Sequence, residues 1–389
     1  MTGQALLQHL QREFVARLGP CRAFSAPGRI NLIGEHTDYN EGFVLPIAID
    51  RRTYVVGAKR ADRRITVRST NTSSEFEFEL DRRGCTRPGT WLDYVEGTAH
   101  AMLERGFALC GADLLIASDI PIGRGLSSSA ALEISVGYAL ARLAGIHEPD
   151  RVKLALSGQA AENQYVGVRV GIMDQLICAL AEERRALLID CRSLETSSVP
   201  VALGNARILI CDTRVKHHLA TSAYNERREQ CERGVELMRA HWSEVRSLRD
   251  VSPEQFETAR ARLPDLIRRR CEHVLGENQR TLLAADALAR GDLAGLGRLM
   301  LQSHGSLRDD YEVSCAELDA AVETASAEPG VYGARMTGGG FGGCTITLLE
   351  ESAIERVSAA IRARFQRQFS VQPELFVSPA CAGACEHEA

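Results

Sequence analysis

Gly28-Arg29-Ile30-Asn31-Leu32-Ile33-Gly34-Glu35-His36-Thr37-Asp38-Tyr39-Asn40, closed by Gly42 and Pro46, is the stretch on which the reading of this chain turns. From Glu35 to Asp38 it offers two carboxylates and an imidazole, with glycines on either side that let the backbone turn tightly. Converging acceptors and donors of this kind suit a hydroxyl-rich molecule, because ionised acceptors make the stronger hydrogen bonds. On residue chemistry alone three readings stand: an ordinary polar turn, a metal site, and a site for a polar ligand. Metal ligation is disfavoured by crowding, since consecutive side chains rarely face one ion.

The chain around this stretch has 389 residues, too many for one ordinary compact core and comfortable for two. With 45% hydrophobic residues, 25% charged residues and a net charge of −5, the composition is that of a soluble globular protein. Basic clusters at Arg63-Arg64, Arg82-Arg83 and Arg268 to Arg270 lie among acids or beside apolar runs and read as solvated faces. No nucleic-acid partner is expected. Residues 1–19 alternate apolar and polar side chains at helical spacing, without the apolar core and cleavage site of a signal peptide. No window approaches the roughly 18 apolar residues of a membrane span. The 12 cysteines are scattered mostly through apolar segments without a CxxC pair, which reads as reduced thiols in a cytoplasmic protein. Cys381, Cys385 and His387 form a small tail cluster that lacks the fourth ligand of a structural zinc site.

Along the chain, strand-like runs at Tyr54 to Lys59, Ile65 to Arg68, Glu75 to Leu80 and Asp113 to Ser118 are mixed with helices. One helix is predicted from Ser128 to Leu143, ending at Gly145, and a second over roughly Val152 to Tyr165. Strands at Ala186 to Ile189 and Arg207 to Cys211 flank a looser stretch, Ser193 to Asn205, which is the candidate boundary between domains 1–200 and 201–389. A charged helical region follows, Ser222 to Ser326, then a glycine cluster and a strand at Thr345 to Leu349. Strands and helices in this irregular order predict an α+β fold rather than a doubly wound parallel sheet.

Two further constellations carry chemistry. Pro121-Ile122-Gly123-Arg124-Gly125-Leu126-Ser127-Ser128-Ser129-Ala130-Ala131 opens the first helix. Glycines before a helix N-terminus expose amides to an anion, though serines there also serve as plain helix caps. No Gly-Lys-Ser/Thr follows, so it is not a P-loop. The second, Gly338-Gly339-Gly340-Phe341-Gly342-Gly343, satisfies G-x-G-x-x-G but leads into a strand, where a dinucleotide fingerprint must open a helix. Close approach of its backbone to a ligand or a neighbouring segment is the physical reading. Between them, Asp174 in Gly171-Ile172-Met173-Asp174-Gln175 reads in isolation as a helix cap.

Taken together, and in this order and spacing from about residue 20 to 350, these motifs resemble the galactokinases of the GHMP small-molecule kinase family. The resemblance implies two α+β domains with the active site in the cleft between them. It implies Asp174 as catalytic aspartate and Arg29 as the arginine facing it, with Glu35, His36, Asp38, Gly171 and Tyr224 around the sugar. It implies ATP as cofactor, with Trp91 stacked on adenine and Gly123, Gly125, Leu126, Ser127, Ser128 and Ser129 at its phosphates. Ser129 and Glu162 match the residues that hold Mg²⁺ in this superfamily. Galactose is then the small-molecule partner, and a monomer is expected. Other sugars within the family, N-acetylgalactosamine or arabinose, and a non-catalytic galactose sensor are the competing readings. The chain departs from the family at Arg124, where a small residue is usual.

Overall fold

Period-two alternation decides the first sheet. The computed structural model describes residues 3–82, 89–216 and 220–388. It begins with helix α1 (Gly3–Leu18) and strands β1 (Arg22–Asn31), β2 (Phe43–Val44), β3 (Pro46–Lys59), β4 (Arg64–Ser69) and β5 (Ser74–Glu79). Helix α2 (Leu92–Glu104) and strand β6 (Ala112–Ser118) follow. Neighbouring strand residues face opposite ways. Phe24, Val55, Leu114 and Ile116 therefore enter the principal core, while Ala23, Tyr54, Val56, Leu115 and Ala117 meet Leu7, Leu10 and Phe14 of α1.

Helices α3 (Ser128–Leu143), α4 (Arg151–Ala161) and α5 (Met173–Leu180) cover the core side of this sheet, and α4 runs on into a π-helical turn at Glu162–Val166. The bounds of α3 are those its periodicity predicts, and the second predicted helix is α4 with its π turn. Strands β7 (Arg185–Asp190) and β8 (Thr196–Pro200) join β2 in a three-stranded sheet. The stretch expected to be loose, Ser193 to Asn205, thus contains a strand.

The remaining elements are β9 (Ala206–Lys216), α6 (Ala220–Arg239), α7 (Pro253–Arg260), α8 (Asp265–Ala289), α9 (Leu293–Asp309), α10 (Ala316–Ser326), β10 (Val331–Thr337), β11 (Gly342–Glu350), α11 (Ile354–Gln368), β12 (Glu374–Val377) and β13 (Cys385–His387). A four-stranded antiparallel sheet runs β10-β11-β9-β12. Ile208, Ile210, Ile346 and Leu348 on one face share the principal core with Leu288 of α8 and Met300 of α9. The other face, through Leu209 and Leu349, packs on Ala321, Val357, Ile361 and Phe365 of α10 and α11. The first sheet has the order β13-β1-β3-β6-β4-β5, so the last strand returns to the edge of the first. Mixed sheets and segregated helices make the fold α+β, in two domains.

β1 escaped the strand reading because Pro27 and Gly28 argue against one. The register between β1 and β3 shifts between Pro27 and Arg29, and that irregularity is where the proline is tolerated. It also turns Arg29 toward the serine loop. Among the described residues the cysteines are unpaired, and no helix is long and apolar enough to cross a membrane.

Candidate active site

Arg29 organises the centre. Its Nε and Nη2 each donate to the Asp174 carboxylate at 2.9 Å, and its Nη1 donates to the Gly125 carbonyl at 2.6 Å. The guanidinium is buried and its five donors form a rigid fork, so this pairing fixes the orientation of the carboxylate as well as offsetting its charge. Asp174 stands in the first turn of α5, where the helix dipole favours an anion. The cap position of that helix belongs to Ile172, so Asp174 is not its cap. A third donor is the Ser127 hydroxyl, in short contact with Asp174 Oδ2. Ser127 occupies the cap position of α3 with a left-handed backbone, φ 58°, and makes no side-chain cap bond. The capping role open to these serines is thus not the one Ser127 takes.

Beside Asp174 lies a cavity of about 440 Å³, open mouth included, that Glu35, His36, Asp38, Gly171 and Tyr224 line together with Arg29. Glu35 accepts from the Gly338 amide (3.0 Å) and pairs with Arg335 of β10 at 2.5 Å, off the line of a hydrogen bond. Burial pushes its carboxyl up to about 6 even though Arg335 pulls it down. Asp38 is pushed up to about 6 as well, by burial first and then by the negative charge of Asp174. A Cβ at position 171 would fall 1.9 Å from Asp38 Oδ2, so only glycine leaves room for that carboxylate. Burial pulls His36 down to about 3, leaving a neutral ring that bonds Tyr39 Oη at 2.8 Å and packs against Tyr311 and Tyr224.

On the other side of the serine loop a larger cavity of about 880 Å³ is lined by Trp91, Tyr94, Gly123, Ser128, Ser129 and Leu132, among others. Trp91 is held edge-on to Phe76 at 5.4 Å and donates Nε1–H to Ser74 Oγ at 2.8 Å. The residues expected at the phosphates therefore divide. Gly123, Ser128 and Ser129 face this cavity. The Gly125 and Leu126 carbonyls accept from Arg29 (the latter from its amide, 3.2 Å), the Leu126 side chain enters the core, and the Ser127 hydroxyl serves Asp174.

Ser129 stands close enough to Glu162, buried on the π turn, to favour its ionised form. Burial, and then Asp174, pushes Glu162 up to about 7. The Gln175 amide donates to both Glu162 Oε2 (3.1 Å) and Glu133 Oε2 (2.9 Å), tying a second buried carboxylate to the first. A hydroxyl and carboxylates form an all-oxygen donor set, the kind a hard dication takes, and the surplus negative charge is what such an ion would offset. The residues present fit Mg²⁺. Among the described residues no three His, Cys, Asp or Glu side chains form a metal cage. Mg²⁺ ordinarily relies on one or two carboxylates plus substrate phosphates.

Several residues of the centre escaped sequence reading. Glu133 and Gln175 looked like ordinary helical positions. Arg335 had a signal, a charge within an otherwise strand-like run, but its partners Glu35, Glu277 and Ser303 come from three distant segments. Arg124, at the family's small-residue position, leans toward Asp212 of β9 at 4.0 Å. The glycine cluster packs on the serine loop. A Cβ at Gly338 would meet Gly125 O at 2.8 Å, and one at Gly343 would meet Arg124 O at 2.8 Å. Both glycines have positive φ, so close backbone approach is its reason.

A galactokinase galactose-binding signature matches residues 11–59, the GHMP kinases N-terminal domain matches residues 93–182, and the GHMP kinases C-terminal domain matches residues 284–367. A galactokinase of Chloroflexus aggregans is 49% identical over 346 residues, 89% of this chain and 88% of its own. One from Canis lupus familiaris is 46% identical, over 97% of this chain and 96% of its own. The crystal structure of Lactococcus lactis galactokinase complexed with galactose superposes with a TM-score of 0.93 at 36% identity, covering 98% of this chain and 99% of that one. Mevalonate kinase of Methanococcus jannaschii shares the fold, with a TM-score of 0.62 at 18% identity over 93% and 99% of the two chains.

Proposed function

The chain belongs to the galactokinases of the GHMP kinase family, and we propose that Asp174 and Arg29 carry the phosphoryl transfer that it catalyses. The reaction moves the γ-phosphoryl of ATP to the C1 hydroxyl of galactose, giving galactose 1-phosphate and ADP. The observation that carries the residue assignment is the position of Asp174, which lines the smaller cavity and is bound by Ser127 of the loop bordering the larger one.

In this reading galactose occupies the smaller cavity, with its hydroxyls on Glu35, His36, Asp38 and Tyr224 and its ring over Gly171. ATP occupies the larger one, adenine against Trp91 and phosphates on the loop from Gly123 to Ser129 at the start of α3, where amides and helix dipole favour anions. Asp174 accepts the C1 proton as the oxygen attacks phosphorus, a role worth roughly 10²–10⁴-fold for a positioned base. Arg29 holds the carboxylate in line and offsets negative charge, which matters because phosphoryl transfer depends mainly on positioning and charge stabilisation. Ser129 and Glu162 are the residues that would hold Mg²⁺, and that ion, when bound, neutralises phosphate charge.

The same reading makes the protein a cytoplasmic monomer divided at about residue 200. Its cysteines, unpaired among the described residues, support a reducing compartment. ADP release measured with galactose, N-acetylgalactosamine, arabinose and glucose tests it. Galactose is expected to give the highest kcat/KM. A chain that binds galactose yet turns over ATP with none of the four is a sensor rather than a kinase.

A further inference from the structure

The cysteine and histidine of the C-terminal tail, left without a role by phosphoryl transfer, stand on one face of β13 because they are two residues apart. They face Ser25 of β1, whose Oγ lies 2.8 Å from His387 Nε2 and 3.7 Å from Cys385 Sγ, with Sγ and Nε2 3.9 Å apart. Arg52 of β3 closes the group. Its Nε donates to Ser25 Oγ (2.7 Å), its Nη2 to Cys385 Sγ (3.5 Å), and the same guanidinium holds the Ala382 and Gly383 carbonyls at 2.9 and 2.6 Å. The carboxylate on the strand, Glu386, is bound by Arg22 and Arg142 instead. The remaining titratable neighbour, Tyr54 of β3, is pushed up to about 12 by burial and stays uncharged, and Asp119 beyond it accepts from the Arg52 amide at 2.6 Å. The tail that presents the thiol is pinned in turn to the end of α5, by Gly383 N–H to Ala181 O (2.8 Å) and Ala384 N–H to Cys178 O (2.9 Å).

We propose that Cys385 is a reactive thiol, the site at which small electrophiles and peroxides modify this protein, with His387 and Arg52 as the groups that activate it. A thiolate is the nucleophile, and an adjacent imidazole and guanidinium in a partly exposed position are the surroundings that favour it. Burial raises the Cys385 thiol, but the His387 ring and the Arg52 charge outweigh it and bring it down to about 7. Cys381, four residues earlier and also partly exposed, has no histidine beside it and is pushed up to about 11 by burial, with the Asp50 charge adding to that and Arg52 pulling against it. With a peroxide, the thiolate attacks one oxygen and an S–O bond forms as the O–O bond breaks. Sulfur gives up two electrons, and the departing oxygen takes a proton to leave as water or an alcohol. The product is a sulfenic acid. With a haloacetamide, an S–C bond forms and halide leaves.

The full chain is treated with limiting iodoacetamide from pH 6 to 9, and each cysteine's alkylation is followed by peptide mass spectrometry. Cys385 is expected to label first at pH 7, at least about tenfold faster than Cys381, with a rate that levels off just above pH 7. In His387→Gln or Arg52→Gln the levelling moves to higher pH and the advantage at pH 7 shrinks several-fold. Labelling of Cys385 no faster than Cys381 in the wild-type chain overturns the proposal, whether or not either variant folds. A wild-type pH profile left unmoved in a folded His387→Gln chain overturns the part assigned to the histidine. Hydrogen peroxide followed by dimedone serves as a second probe, and dimedone adducts confined to residues other than Cys385 also overturn it.

Discussion

The smaller cavity is walled by buried ionisable side chains, and the larger one, twice its volume, by an indole, a phenol, an amide, hydroxyls, backbone and aliphatic groups. Glu35, His36 and Asp38 are each held by a neighbour whose position depends on another segment: Arg335 from β10, Tyr39 beside Tyr311, and the glycine at 171. Trp91 and the serine loop need less. In the reading proposed above, one indole face and a helix N-terminus recognise features that every adenine nucleotide shares. A pocket built to hydrogen-bond particular hydroxyls rejects a molecule that lacks one, because buried polar groups are then left unpaired. Selectivity for the acceptor should therefore reside in the small pocket, while the large cleft contributes affinity.

The largest effect is expected at Asp174, which lines the smaller cavity and is bound by the loop that borders the larger one. Asp174→Asn should lower kcat by about 10²–10⁴-fold while calorimetry still detects galactose binding. If sugar affinity falls in proportion to kcat, Asp174 belongs to the pocket wall and not to the chemistry.

A second substitution separates the regions by stability. Arg335→Met leaves Glu35 and Glu277 buried without their shared cation, a change that costs about 3–5 kcal/mol for a broken buried ion pair. Urea unfolding should show that loss, and the galactose KM should rise in whatever folded enzyme remains. Trp91→Ala touches the cleft alone. Losing one stacked aromatic is worth roughly 1–3 kcal/mol, so the ATP KM should rise about tenfold with the galactose KM unchanged. A shift in both constants would mean that the two cavities are coupled.

The contrast also explains what could be read from the sequence. Motifs made of neighbours in the chain were legible: the Glu35-His36-Asp38 run, the serine loop with its helix, and the glycine cluster. The α+β class followed from element order, and α3 from its apolar stripe. What stayed hidden is nonlocal. Nothing near Arg335 announces Glu35, and β1 was obscured by a Pro-Gly pair that the sheet absorbs as a register shift. Gln175 holds two carboxylates that lie 42 residues before it and 13 residues before it. β8 was missed for another reason: Thr196 to Pro200 is short, polar and at the edge of its sheet.

The smallest expected effect is a pH dependence of sugar binding. Glu35 and Asp38 both sit near 6, raised chiefly by burial, so each gains a proton as the pH falls through that value. A protonated carboxyl is the weaker acceptor, so galactose should bind best to the ionised pair. A group at its own pKa is half protonated, so the galactose KM should rise about two- to fourfold between pH 7.5 and 6. His36, held down near 3, stays neutral over that range and contributes nothing. Asp38→Asn removes one of the two titrations and should leave about a twofold rise from Glu35. A galactose KM that is flat from pH 7.5 to 6 would mean that these carboxylates are not what the sugar's hydroxyls require ionised, and the distinction between the two cavities would lose its electrostatic basis.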